Sequence, residues 1–111
     1  MIRVEIGRER KSGRIAAFRV EGHAFFADLG KDIVCAGVSA VTVGTVNAAE
    51  AVVGVELSAR MEDGLLHVAV PDGVPEPKRD SLQLLLESMV VMLQSIEQSY
   101  GKHIRLKEYY V

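Results

Sequence analysis

The chain has little of several features that define common protein classes. Only one of its 111 residues is cysteine, so an internal disulfide and a zinc site built on several cysteines are both excluded. A lone cysteine is typical of a reducing compartment, and we therefore expect a cytoplasmic location. Aromatic residues make up 5% and the formal net charge is −2. Direct binding to nucleic acid is therefore not expected, nor is binding to an anionic membrane, since both need a basic surface.

Long uncharged apolar runs are also missing. The alternating start from Met1 to Glu5 lacks the apolar block of a signal peptide. The stretch from Ile33 to Val55 comes closest to the roughly 18 apolar residues of a membrane span. It contains Asn47 and Glu50, however, and it is rich in small residues. We interpret this stretch as a buried helix.

What the chain does have is clear apolar patterning. Hydrophobic residues make up 49%, which is enough for a core, and the length suits one domain covering residues 1–111. Period-two alternation predicts five strands, and helical spacing predicts two helices, the second ending at Gly101. The predicted class is α+β, a mostly antiparallel sheet with two helices packed on it, in the order β-β-α-β-β-α-β. The predicted elements are strands Ile2–Ile6, Ile15–Val20, Val55–Arg60, Leu65–Val70 and Ile104–Tyr110, a helix Val34–Val53, and a helix carrying the stripe from Leu82 to Tyr100.

The first helix is apolar around much of its circumference. A single sheet can bury only one side of such a helix, so the other side needs a second cover. A partner subunit is the simplest cover in so small a chain, and we therefore predict a homodimer, with the second helix as the competing cover. Gly37 and Gly44 also predict close approach to another element. The apolar positions are Val38, Val41, Val43, Val46, Ala48, Ala51 and Val52.

Cys35 and His23 are the residues best placed for chemistry. Cys35 lies where a loop becomes the first helix, and N–H groups at a helix start lack intrahelical partners. These groups and the helix dipole favour a thiolate, and the same N–H groups could hold an oxyanion. His23 lies at the predicted end of the second strand, where it could act as the base for Cys35. The alternatives are a small buried cysteine and a strand-end histidine bonded to backbone.

Two blocks of sequence carry a family resemblance. The first is Gly22-His23-Ala24, and the second runs Asp32-Ile33-Val34-Cys35-Ala36-Gly37-Val38-Ser39. A Gly-His dipeptide, a loop of about this length and an Asp-x-x-Cys-small-Gly/Ala-x-Ser block resemble the ribosomal-processing cysteine protease family, Prp. The length and the order of elements are similar across nearly the whole chain.

The resemblance implies a specific activity. Enzymes of that family clip a short N-terminal extension from large-subunit ribosomal protein number twenty-seven, cutting after a Phe-Phe pair. It also implies that Cys35 is the nucleophile and His23 the general base. Asp32 and Ser39 match family positions. Asp32 would orient His23 or cap the helix, and Ser39 would touch the thiolate or substrate or simply allow close packing.

Phe25 and Phe26 follow His23 directly in the loop. They would either close over a bound peptide or pin the loop to the core. We expect the whole loop, Ala24 to Lys31, to be mobile without substrate and ordered with it.

Other functions fit the sequence less well. His67 and His103 have no cysteine or carboxylate at metal-ligand spacing, so we expect no metal and no cofactor. The alternatives to a protease are a non-enzymatic, ribosome-associated module that binds protein, and a thiol-redox protein. The redox reading is poor because no resolving cysteine exists.

Overall fold

A computed structural model describes residues 1–28 and 30–111. Its five-stranded sheet has the order β3-β4-β2-β1-β5, in which only the β1–β5 pair is parallel. The two helices pack on each other and share one core with the sheet, which confirms the predicted α+β class and element order. The bounds are β1 Ile2–Arg8, β2 Ile15–Glu21, α1 Ile33–Ala48, β3 Ser58–Glu62, β4 Leu65–Ala69, α2 Glu76–Tyr100 and β5 Ile104–Tyr110.

The core follows the alternation of the strands and the stripe of the second helix. In β1, Ile2, Val4 and Ile6 are buried, whereas Arg3 between them is exposed. Every second residue of a strand faces the same side of the sheet, so these three side chains all point toward the helices. The buried residues of α2 recur at helical spacing as Leu82, Leu86, Met89, Val90 and Leu93.

The end of the first helix and the start of β3 differ from the prediction. The last turn, Ala49–Val53, is a π-helix that ends at Gly54 in the left-handed conformation, with φ +80°. β3 begins at Ser58 and not at Val55. Val55 and Leu57 are buried before the strand begins. Their alternation therefore reflects burial of the segment between the first helix and β3, and not strand pairing.

The first helix is buried on one side only. By length and composition, Ile33–Val53 is the one segment in the described part of the chain that could cross a membrane. In the fold, Val34, Val38, Thr42 and Thr45 face the core. The Thr42 hydroxyl donates to the Val38 carbonyl at 2.8 Å, which satisfies a polar group that would otherwise be costly to bury.

The two helix glycines lie in different surroundings. A Cβ at Gly37 would lie 3.8 Å from Cδ1 of Ile96 on α2, as a close helix–helix approach requires. A Cβ at Gly44 would meet nothing within 4 Å, so the prediction of a close neighbour is wrong for Gly44 within residues 1–28 and 30–111.

Candidate active site

The end of β2 sets the position of His23. Gly22 has φ +93°, and a side chain there would collide with the Met1 carbonyl oxygen. The Gly22 N–H donates to the Gly64 carbonyl at 2.9 Å, which ties this bend to the β3–β4 turn. Only glycine combines this φ with this close approach, so Gly22 supports the site through its backbone.

His23 lies between the β3–β4 turn and the loop that follows it. Its carbonyl accepts a hydrogen bond from the Met1 amino group. A Cβ at Gly64 would lie 3.0 Å from the His23 Nε2, so the imidazole packs against a turn position that has no side chain. On its other side the ring lies 6.0 Å from the Phe25 ring, centroid to centroid.

Asp32 joins the loop to the first helix. One carboxylate oxygen accepts from the Val34 and Cys35 N–H groups, both at 3.0 Å, as an N-cap does. The other oxygen accepts from Phe26 N–H at 2.9 Å and from Ala27 N–H at 3.4 Å. Desolvation raises the pKa of Asp32, but the four N–H donors outweigh it and hold the pKa below its ordinary value.

These hydrogen bonds change the expected electrostatics at Cys35. The Val34 and Cys35 N–H groups are taken by Asp32, and the Ala36 N–H donates to the Asp32 carbonyl at 3.0 Å. The prediction that these N–H groups are free to bind an oxyanion is therefore wrong for this conformation. The Cys35 sulfur instead accepts from the Ala24 N–H, at 3.3 Å, across the loop.

All the predicted site residues except Phe26 line one or both of two cavities. His23, Phe25, Asp32, Cys35 and Ser39 border a cavity of about 490 Å³. A second cavity of about 280 Å³ runs on toward the β3–β4 hairpin, and its lining includes Gly22, His23, Cys35 and Ser39. The linings of the two cavities share His23, Cys35, Ser39 and Asp63, and we refer to the two cavities together as the groove.

Asp63 also belongs to this groove, although it was not predicted as a site residue. Asp63 borders both cavities, because the Gly22–Gly64 hydrogen bond places the β3–β4 turn beside His23. From the sequence, Asp63 was predicted only as part of a turn. No local signal reveals that this turn closes the site, because the contact depends on strand pairing in the folded sheet.

Comparison with known proteins identifies the family. The family profile described as "Cysteine protease Prp" matches residues 1–105. The chain belongs to the cysteine protease Prp family. The chain is therefore a cysteine protease, and the non-enzymatic and redox alternatives are set aside.

Individual Prp proteins are similar over almost their whole length. The ribosomal processing cysteine protease Prp of Bacillus subtilis is 39% identical over 108 residues, 96% of each chain. The essential ribosomal processing protease Prp of S. aureus, solved with a covalently linked product peptide, is 36% identical with a TM-score of 0.88, covering 98% of this chain and 100% of that one. The same S. aureus enzyme with a substrate peptide gives 35% identity, a TM-score of 0.82 and the same coverage.

The two phenylalanines of the loop after His23 have different surroundings. Phe25 is 78% exposed, borders the groove and has φ +54°, a strained value for a residue with a side chain. Phe26 packs edge-on against the rings of Tyr100 and His103, with centroids 5.6 and 5.2 Å away. Phe26 therefore anchors the loop, and Phe25 is the one that faces the groove. The predicted mobile loop includes Leu29, which lies outside the described residues.

Proposed function

We propose that the chain is a cysteine endopeptidase in which Cys35 is the nucleophile and His23 its base. One observation carries the assignment. A cysteine protease needs a reactive thiol, this chain has one cysteine, and that cysteine borders a groove together with His23. The need for a reduced thiol also supports the proposed cytoplasmic location.

The proposed reaction is acyl transfer. The Cys35 thiolate attacks the scissile carbonyl carbon, forming a C–S bond while the carbonyl oxygen becomes an oxyanion. The tetrahedral intermediate collapses with cleavage of the C–N bond, and protonated His23 gives its proton to the leaving amine. Water, deprotonated by His23, then hydrolyses the thioester and regenerates Cys35. The Ala24 N–H, which donates to the sulfur in the free enzyme, is placed to bind the oxyanion beside it.

The proposed substrate is the N-terminal extension of large-subunit ribosomal protein twenty-seven, cut after a Phe-Phe pair. The B. subtilis and S. aureus relatives are ribosomal processing proteases, which supports this substrate class. The family resemblance of the Gly-His and Asp-to-Ser blocks supports the specific protein and cleavage point. Cys35 is in the lining of both cavities, which suits a peptide that binds on both sides of the cleavage point.

A peptide assay tests this function. The probe is a synthetic peptide that ends its extension in Phe-Phe and continues into the mature ribosomal protein, with products read by mass spectrometry. We expect one cut after the second Phe, and none after iodoacetamide treatment or in Cys35→Ala. A Phe-Phe to Ala-Ala peptide is the matched control and should remain intact. Equal cleavage by wild type and Cys35→Ala would overturn the proposal.

We also propose that the chain forms a homodimer through the outer surface of its two helices. This surface exposes small or apolar side chains on both helices, and among the described residues nothing lies within 4 Å of a Cβ placed at Gly44. Exposed apolar surface of this kind is typical of a protein–protein interface. The exposed positions are Ala36, Ala40 and Gly44 on α1, Ala51 and Val52 on the π-helical turn that follows it, and Leu84, Val91 and Met92 on α2.

Light scattering at micromolar concentration tests the dimer. Wild type should have twice the chain mass, and Val91→Glu should shift the protein toward the monomer. His67→Glu, on the opposite face of the sheet, is the control and should leave the mass unchanged. A wild-type monomer would contradict the proposal.

A further inference from the structure

His103 contacts the loop that joins the two proposed catalytic residues. Its Nδ1 lies 3.0 Å from the Ala24 carbonyl oxygen. A carbonyl oxygen only accepts, so this contact is a hydrogen bond when Nδ1 carries a proton. His103 precedes β5. From the sequence it was considered only as a possible metal ligand, and no cysteine or carboxylate lay at metal-ligand spacing from it.

The backbone around His103 is fixed, so its ring is a firm anchor. The His103 N–H donates to the Tyr100 carbonyl at 2.8 Å, and its own carbonyl accepts from Ile2 N–H at 2.8 Å. These bonds join the end of α2 to the start of β1. The backbone of His103 is therefore bonded to α2 and β1, while its imidazole contacts the carbonyl of Ala24 in the loop.

Ala24 passes this constraint to the sulfur. Its side chain is buried, its carbonyl is held by His103, and its N–H donates to the Cys35 sulfur. Because Asp32 occupies the N–H groups of Val34 and Cys35 and also carries negative charge, the Ala24 N–H is the donor that favours the thiolate directly. The orientation of Ala24 therefore decides whether the Cys35 sulfur receives this hydrogen bond.

We propose that His103 is a positioning residue for Cys35, acting through the Ala24 peptide. Its Nδ1–H fixes the Ala24 carbonyl, and this keeps the Ala24 N–H directed at the sulfur. The inference rests on the proposed role of Cys35. Its test uses thiol chemistry as well as peptide cleavage, so the two proposals can fail separately.

The first experiment separates the hydrogen bond from the ring. His103→Asn keeps a donor near the Nδ1 position and removes the ring, whereas His103→Phe keeps an aromatic edge against Phe26 and removes the donor. Iodoacetamide alkylation is followed against pH, and it reports Cys35 alone because the chain has no other thiol. His23, Asp32 and Asp63 share the groove with Cys35 and are unchanged in both variants.

The expected results differ for the two variants. His103→Phe should react about 2- to 10-fold more slowly at neutral pH, the effect expected for one lost hydrogen bond. At high pH, where every thiol is ionised, its rate should converge on that of wild type. His103→Asn should keep a wild-type alkylation profile. In peptide cleavage, His103→Phe should lose kcat more than it changes KM. A wild-type profile in His103→Phe, or the slow profile in both variants, would overturn the proposal.

A measurement on the unmodified protein covers the case in which His103→Phe does not fold. Nitrogen-15 NMR of histidine-labelled wild type should find a proton on His103 Nδ1 in the free enzyme. A neutral ring protonated only at Nε2 would overturn the proposal, because it could not donate to Ala24. The nucleophile assignment is tested separately by loss of cleavage in Cys35→Ala. The Nδ1 proton of His103 should be present in that variant as well.

Discussion

The pair formed by β1 and β2 has a site end and an opposite end, and different kinds of interaction stabilise each. At the site end, backbone groups bond to Asp32 and to one another, and a glycine and Phe25 adopt positive φ. At the opposite end, Arg8 pairs with Glu87 of α2 at 2.6 and 2.8 Å and with Glu108 of β5 at 3.2 Å. The opposite end thus gains its cohesion from side chains that reach across elements.

A side-chain amide strengthens the opposite end further. Gln83 of α2 bonds both backbone groups of Ile15, accepting from its N–H at 2.8 Å and donating to its carbonyl at 2.9 Å. The helix therefore completes the hydrogen bonding at the start of β2. Substitutions at the site end should therefore change activity more than stability. Substitutions at the opposite end should change stability more than activity.

The largest activity effect should come from His23. His23→Ala should lower kcat/KM for the Phe-Phe peptide by about 10²–10⁴-fold, because general acid–base assistance is typically worth that much. His67→Ala, an exposed histidine on β4, is the matched control and should keep wild-type cleavage. Equal losses in both variants, or none in His23→Ala, would contradict the base assignment.

Asp32 comes next because it holds the loop and the helix start together. Asp32→Ala should lower kcat/KM on the order of 10- to 100-fold, as small misplacements of reacting groups do. Asp32→Asn keeps one oxygen for the cap but loses an acceptor for Phe26 and Ala27, so its loss should be intermediate. Asp28→Asn, in the same loop and exposed, is the control. Activity of Asp32→Ala within twofold of wild type would contradict the role of Asp32 in holding the loop and the helix start together.

Arg8 should affect stability and not chemistry. Its side chain is 13% exposed and Glu87 is 46% exposed, so after allowing for solvent screening we expect Glu87→Gln to cost about 1 kcal/mol in the free energy of unfolding. Urea denaturation at pH 7 measures this cost. Cleavage by the folded variant should match wild type. A large loss of kcat with unchanged stability would reverse the comparison between the two ends.

The same pair predicts a pH dependence. Arg8 holds the pKa of Glu87 below its ordinary value of 4.5, so the pair stabilises the fold fully above that pH. The stabilisation should fade as the pH falls through the lowered pKa of the folded state. Urea denaturation should show the difference between wild type and Glu87→Gln shrinking in that range. A constant difference down to pH 2 would contradict this reading.

The smallest effect should come from Phe25. Phe25→Ala should raise KM by tenfold or less with kcat nearly unchanged, since an aromatic contact is worth roughly 0.5–1.5 kcal/mol. Phe26→Ala should instead loosen the loop, because Phe26 contacts Tyr100 and His103. Hydrogen exchange with and without peptide tests the loop directly. Protection of the loop in the free enzyme equal to that of β2 and α1 would show that it does not open.

The sequence predicted the architecture because burial leaves a periodic signal. The alternation in β1 and the stripe on α2 each depend on residues close together in the chain, and both were confirmed. The helix-start N–H groups were mispredicted, because the sequence left open whether Asp32 orients His23 or caps the helix, and in the fold it caps the helix. Asp63 and His103 were missed as site residues because strand pairing brings them to the loop from distant positions.

The most direct test of the whole account is to trap the acyl-enzyme. Wild type is mixed with the Phe-Phe peptide, quenched in acid within the first turnover, digested and analysed by mass spectrometry. We expect the peptide that contains Cys35 to carry the mass of the N-terminal cleavage product as a thioester, and we expect Cys35→Ala to show neither adduct nor cleavage. Cleavage that persists in Cys35→Ala, with no adduct on Cys35 in wild type, would contradict the account.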